Sequence, residues 1–293
     1  MKADRPLVFV GVNGSRAARE AVRWGAVEAR LRRAQLLIGH VEGVAAHRLA
    51  AQAPRSSDDA LLHSSAQVAA AMAPEIDVRT VWAVGSRVST ELLRLAERAQ
   101  VIALGIDLTR RPPTHPVRGR LEDRVAVQAH CPVVTVAPGA FLMPGLREQV
   151  SVGWTDSRTA LLALDAAAAE ARLRNAPLNV VTVSPVLHPD VVGVIEPPVP
   201  EPALIDAIVD LRNRYPGLVI QISPTTGDVT AALSAVAVDA ELLVLGAYHS
   251  DKPWSLRTGP VAAALTRLGY CPVMLVGRRA EHPARAVTAP AEQ

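Results

Sequence analysis

Two pairs of glycines, Gly105 with Gly119 and Gly246 with Gly259, stand where a phosphate could be held. Each pair brackets a loop running from the end of a strand-like apolar run to the start of a helical stripe. Glycine in such a loop lets backbone N–H groups approach an anion, and the helix N-terminus adds a favourable dipole. Asn13 and Thr155 follow the first strand-like run of each half, where strand-to-helix turns present polar groups to a ligand. His249, inside the second loop, could reach a phosphate and titrate near neutrality from an ordinary pKa of about 6.5. Arg110, Arg111, Arg118 and Arg120 surround the first loop and could bind phosphate or carboxylate by charge-assisted hydrogen bonds. Each of these has a plainer reading beside it. Glycines make tight turns without a ligand, loop arginines are commonly solvated, and His249 can be an ordinary loop residue. Ser15 and Ser157 read as helix N-caps, with Asp156 in the same capping region.

Covalent and metal chemistry find little support. The eight histidines show no His-Glu-x-x-His spacing, and neither a Gly-x-Ser-x-Gly elbow nor a P-loop lysine occurs. Cys131 and Cys271 each precede a proline and an apolar run, so they read as buried strand-entry residues without a disulfide framework. No catalytic residue and no metal site is expected, and the chain reads as a binding protein.

The elements that must position these residues come in two copies. Residues 129–136, Ala-His-Cys-Pro-Val-Val-Thr-Val, recur 140 positions later as Gly-Tyr-Cys-Pro-Val-Met-Leu-Val. At similar offsets Gly11 answers to Gly153, Ser15 to Ser157, Gly85 to Gly227, Gly105 to Gly246 and Gly119 to Gly259. Strands are expected over residues 7–12, 35–41, 76–84, 101–105 and 133–137, and again over 150–154, 178–183, 218–223, 241–246 and 273–277. Helical stripes lie between them: Leu92, Leu95, Ala96 and Ala99; Leu121, Val125, Gln128 and Ala129; Val229, Ala232, Leu233 and Val236; Val261, Ala264, Leu265 and Leu268. Strands alternating with helices require right-handed crossovers and a parallel sheet covered on both faces. The fold class expected is α/β, as two tandem doubly wound domains of five parallel strands each, residues 1–140 and 147–279. Residues 138–145 punctuate the join with two Pro-Gly elements, and residues 280–293 are expected to be a disordered tail.

Composition agrees with this architecture. Hydrophobic residues are 49% and charged residues 20% of 293, enough for a sizeable core, while aromatics at 3% imply cores of small and β-branched side chains. A net charge of +3, with basic residues interspersed among acidic ones, gives nucleic-acid binding no electrostatic support. Arg30, Arg32 and Arg33 read as a solvated helix end. No apolar run reaches the roughly 20 residues a membrane span needs, so the chain is expected to be soluble and cytoplasmic.

The run Gly11-Val12-Asn13-Gly14-Ser15, the glycine closing each fourth strand, the glycine opening each last helix and the Cys-Pro-Val before each final strand resemble the universal stress protein family. The resemblance covers nearly the whole chain, twice. It implies an ATP site built from Gly, two residues, Gly, nine residues, then Gly-Ser or Gly-Thr, with an Asp after the first strand and residues matching Val41 and Val183 lining the adenine pocket. Core valine is the competing reading of those two. The second half keeps Gly246 and Gly259 at the family spacing, but His249 replaces the middle glycine and Pro260 the hydroxyl residue. The first half holds Gly105 and Gly119 one residue further apart, with Leu108 and Arg120 in the intervening and final positions. Asn13 and Thr155 stand where the family has Asp. The resemblance also implies a pseudo-symmetric pairing of the halves through residues 133–136 and 273–276, open to further homodimerisation. A stress-response binding or signalling role follows, with residual binding of an adenine nucleotide, ATP, and with protein partners. A scaffold that binds no nucleotide, docking partners through the proline-rich segment 184–202, is the alternative; an adenine-nucleotide α-hydrolase enzyme is the third reading.

Overall fold

The computed structural model describes residues 5–44, 47, 56–108, 120–141, 147, 149–184, 201–247 and 258–280. The first half runs β1 (Leu7–Val12), α1 (Arg16–Leu31), β2 (Gln35–Gly43), α2 (Ser56–Met72), β3 (Val78–Gly85), α3 (Val88–Leu95), β4 (Val101–Gly105), α4 (Leu121–Gln128) and β5 (Val133–Val136). The second repeats this as β6 (Gln149–Trp154), α5 (Arg158–Arg174), β7 (Leu178–Ser184), α6 (Pro202–Arg214), β8 (Ile220–Thr226), α7 (Val229–Asp239), β9 (Ala240–Gly246), α8 (Pro260–Leu268) and β10 (Val273–Val276). The expected α/β class holds in both halves. The five strands of each half pair in parallel, and the two sets join into one ten-stranded sheet ordered β3-β2-β1-β4-β5-β10-β9-β6-β7-β8.

Each central strand presents alternate residues to two different helical layers. Val8, Val10 and Val12 of β1 join a cluster under α1 and α2 that continues through β6 to α5 and α6. Phe9, Ile102 and Leu104 face the other side, under α3 and α4, in a cluster that continues to Leu243, Leu245 and α7 and α8. Both cores therefore pass through the junction of the halves without a break. The four residues of β5 and the four of β10 are all buried.

The edges depart from the sequence reading. β8 extends beyond Ser223 through Pro224 to Thr226, which an edge position allows because one side of the strand needs no ladder donor. The buried face of α8 is Ala262, Leu265 and Thr266, while Leu268 is exposed. The stripe Val261, Ala264, Leu265 and Leu268 is thus rotated from the face that packs.

Of the helix-end arginines expected in solvent, Arg33 is exposed and Arg30 partly so, but Arg32 is a second correction. Arg32 follows the last turn of α1, and its Nε donates to Glu28 Oε1 at 2.6 Å while Nη2 donates to Glu170 of α5. Arg174 donates through Nη2 to Glu28 Oε2 at 2.5 Å and through Nη1 to Glu170, and its Nε lies 3.1 Å from Glu241 Oε1. The side chains of Glu28, Glu170 and Arg174 are 1–3% exposed and that of Arg32 is 14% exposed. Burial by itself would push the Glu28 carboxyl up, but Arg174 and Arg32 outweigh it and hold the group below its ordinary range. Burial, reinforced by the Glu28 charge, holds Glu170 above that range. The end of α1 that carries Arg32 is covered only by the other half, a contact that no local pattern announces.

Two outcomes follow. Arg174→Ala leaves Glu28 and Glu170 short of a partner in a buried site and should cost about 3–5 kcal/mol in urea unfolding, whereas Arg30→Ala, at a partly exposed pair with Glu75, should cost under about 1 kcal/mol. Burial raises the thiols of Cys131 and Cys271 to about 12. Both should therefore resist a thiol-specific chromogenic reagent at pH 8 in the native protein and react promptly in denaturant.

Candidate functional site

Parallel register brings the carboxyl ends of β1, β2 and β4 together. Val12 pairs with His40 and Gly11 with Leu104, so Asn13, Val41 and Gly105 emerge at one end of the sheet. Strand order reverses between β1 and β4, and in open α/β sheets that is where ligands bind. The second half repeats the arrangement: Trp154 pairs with Thr182 and Val152 with Val244, which places Thr155, Val183 and Gly246 at the matching end.

The turns after β1 and β6 are built from local side-chain bonds. Asn13 Oδ1 accepts the Ser15 amide at 3.1 Å, Gly14 takes φ +79°, and Ser15 Oγ accepts the Ala18 amide at 3.1 Å to cap α1. The positive φ is what selects glycine at position 14. Ser157 caps α5 through the Ala160 amide at 3.2 Å, with its Oγ also 3.2 Å from Thr155 Oγ1. The capping reading of both serines holds. Asn13, Thr155 and Asp156 are exposed at the turns.

Gly105 and Gly246 have a packing role at this end of the sheet. A Cβ on Gly105 would lie 2.2 Å from the Ala17 carbonyl carbon and 2.3 Å from the Ala18 amide nitrogen, inside the backbone of α1. One on Gly246 would meet the Thr159 carbonyl at 2.9 Å. Glycine in both strands thus lets a helix N-terminus sit directly on the strand end, which is also the geometry an anion site needs. Val41 is buried in the core beneath α3, and Val183 is part-buried against the same layer. Gly119, His249, Arg110, Arg111 and Arg118, with residues 185–200 of the proline-rich segment, lie outside the described residues.

The helices after the two glycine loops begin differently. Arg120 is the N-cap of α4, and its amide donates to Asp123 Oδ2 at 3.1 Å. Arginine carries no acceptor, so this capping box works in one direction only. The other oxygen of Asp123 accepts the Thr258 hydroxyl from the second half. Thr258 precedes Gly259, the N-cap of α8, which has ψ 161° and no side-chain cap, with Pro260 in the first turn. Proline there removes one donor, though one the helix leaves unpaired anyway. The start of α4 thus carries a carboxylate bonded to its N-cap amide, whereas among the described residues no acidic side chain stands in the first turn of α8.

Three contributors escaped the sequence reading. His40 Nδ1 lies 2.8 Å from the Val12 carbonyl and fastens the ends of β1 and β2. Trp154 occupies the place Val12 has in the first half, and its Nε1 donates to Glu201 Oε2 at 3.2 Å, tying β6 to the N-cap of α6. Asp123 is the third; an acidic residue three positions into a helix is a visible cap signal, but its bond to Thr258 depends on the packing of the halves. Among the described residues no group of three His, Cys, Asp or Glu is placed to hold a metal, and no helix is long and apolar enough to cross a membrane.

Two copies of a parallel sheet, each with its strand ends abutting helix N-termini at the switch point, define a tandem protein of doubly wound α/β domains. The sequence matches the universal stress protein family over residues 7–137 and again over 147–277, and the chain belongs to that family. It is similar to universal stress protein Rv2028c of Mycobacterium tuberculosis, 27% identical over 282 residues that cover 94% of this chain and 97% of that protein. Its fold is similar to the crystal structure of a universal stress protein from Archaeoglobus fulgidus (TM-score 0.67, 15% identity, 93% of this chain and 96% of that one). A functionally unknown protein, PA1789, from Pseudomonas aeruginosa also matches (TM-score 0.58, 15% identity, 94% and 93% of the two chains).

Gly105→Ala should destabilise the protein by about 3 kcal/mol or more, because two backbones must part, and Gly246→Ala by about 1–2 kcal/mol; thermal unfolding of the two variants gives the ranking. Asp123→Ala should remove about 1 kcal/mol by loss of the α4 cap and speed amide exchange at the start of α8, measured by hydrogen–deuterium exchange.

Proposed function

We propose that this chain is a cytoplasmic stress-response binding protein that senses an adenine nucleotide in its second half and performs no catalytic step. The observation that carries the reading is the contrast at the helix starts: the first turn of α4 carries two carboxylates, Glu122 and Asp123, whereas the first turn of α8, which begins at Gly259, carries none. A polyphosphate at α8 would meet the first-turn amides that follow Pro260 and the positive end of the helix dipole. Gly246 and Gly259 keep the spacing that the family's ATP-binding pattern uses, which supports ATP as the first ligand to test. Gly105, Asn13 and Val41 mark the corresponding place in the first half, with Gly119 as the counterpart of Gly259 in the sequence. Thr155, Val183 and His249 complete the second-half site in this reading.

One observation favours a scaffold role instead. Ile205 and Val209, one turn apart on α6, are 46% and 51% exposed, and nearby in sequence Val219 is 58% exposed. Apolar side chains at such spacing offer a partner helix or loop a contact stripe.

Calorimetric titration with ATP, paired with mass spectrometry of small molecules released from the purified protein, separates the two. Binding at a single site per chain, weakened at least about 10-fold by Gly259→Ala, is the expected result. No released nucleotide and no heat at millimolar ATP would leave the scaffold reading in its place.

A further inference from the structure

The junction of the halves holds four charges that no ligand site uses. Glu28 and Arg32 lie four residues apart at the end of α1, and Glu170 and Arg174 lie at the corresponding places of α5, 142 positions later, the same offset that separates Ser15 from Ser157. Each arginine bonds the glutamate of its own half and the glutamate of the other. The arrangement has two-fold symmetry although the chain does not. Burying four charges is no route to stability, since well-packed apolar residues commonly do as well or better. What a buried quartet supplies is selectivity, because any misplaced or missing partner leaves a charge unpaired in a dry site. The rest of the junction carries no charge pair among the described residues: β5 and β10 meet through backbone hydrogen bonds, aliphatic side chains and the Thr135 hydroxyl on the Val273 carbonyl, and Thr258 bonds Asp123 across the halves.

We propose that Glu28, Arg32, Glu170 and Arg174 are the specificity code of the half–half junction. Each half accepts only a domain of the same fold that presents glutamate and arginine, in that order and four residues apart, at the end of its first helix. In this chain the tethered second half is that partner. Glu241 adds a one-sided contact, because Gln100 stands at the corresponding start of β4.

The test uses the full chain in a Glu241→Gln background, so that a glutamate placed at 174 meets no like charge there. Reversing one half, Glu28→Arg with Arg32→Glu, sets arginine against Arg174 and glutamate against Glu170. Amide-exchange protection of β5 and β10 should fall on the order of 100-fold while β2 and β7, three strands away from β5 and β10 respectively in the sheet, keep theirs. Reversing both halves, by adding Glu170→Arg and Arg174→Glu, restores four opposite pairs and should return most of that protection. The code is overturned if the fully reversed chain is no better protected at β5 and β10 than the half-reversed one, or if the half-reversed chain matches its parent. Should the half-reversed chain fail to fold, rescue is read from the fully reversed chain alone, and its failure to fold also overturns the proposal.

Discussion

A strand that is apolar on both faces cannot stay at the edge of a sheet. β5 and β10 would each be such a strand in an isolated five-stranded half, with four buried residues and a row of unpaired backbone groups. They satisfy each other: Val273 pairs with Thr135, Met274 with Val134 and Leu275 with Val133, antiparallel, and Thr135 Oγ1 donates to the Val273 carbonyl at 3.1 Å. The continuous sheet, the two unbroken cores and the closeness of α1 to α5 all depend on this pairing. Antiparallel contact between two parallel sheets is what generates the approximate two-fold relation of the halves.

From that relation the asymmetries acquire meaning. Residues that match across it meet near the axis, where each glutamate is bonded by the arginine of the opposite half, Glu28 by Arg174 and Glu170 by Arg32. Residues that do not match mark divergence between the halves. Asp123 has Ala263 at its counterpart, Trp154 has Val12, and Arg120 has Pro260. The first two of these pairs alter the surroundings of a helix start. Asp123 accepts the amide of the N-cap residue of α4 in the first half, and Trp154 binds the N-cap residue of α6 in the second. The duplicated architecture keeps one scaffold while the carboxyl ends of its two sets of strands are free to differ.

The strand glycines show how closely packing and function are bound at such a site. Gly105 and Gly246 are required by the approach of α1 and α5 to the strand ends, whether or not a ligand is bound. A glycine motif in the sequence is therefore compatible with a working phosphate site and with one that has lost its ligand, since the fold needs the residue either way.

Much of this was legible in the chain itself. The repeat, the alternation of apolar strands and helical stripes, and the capping serines are local patterns, and local patterns fix β1 and β4 to the residue and the capping of α1 and α5. The α/β class and the family follow from the same signals. Tertiary structure alone decided which face of α8 packs, how far β8 runs past Ser223, and that Arg32 is enclosed instead of solvated. It also decided that Asp123 reaches Thr258. Each of these depends on contacts between residues more than 40 positions apart or on a place at the centre or edge of the sheet. Local periodicity carries the preference of a segment for an element, whereas the partner that covers that element is chosen by the whole chain closing on itself.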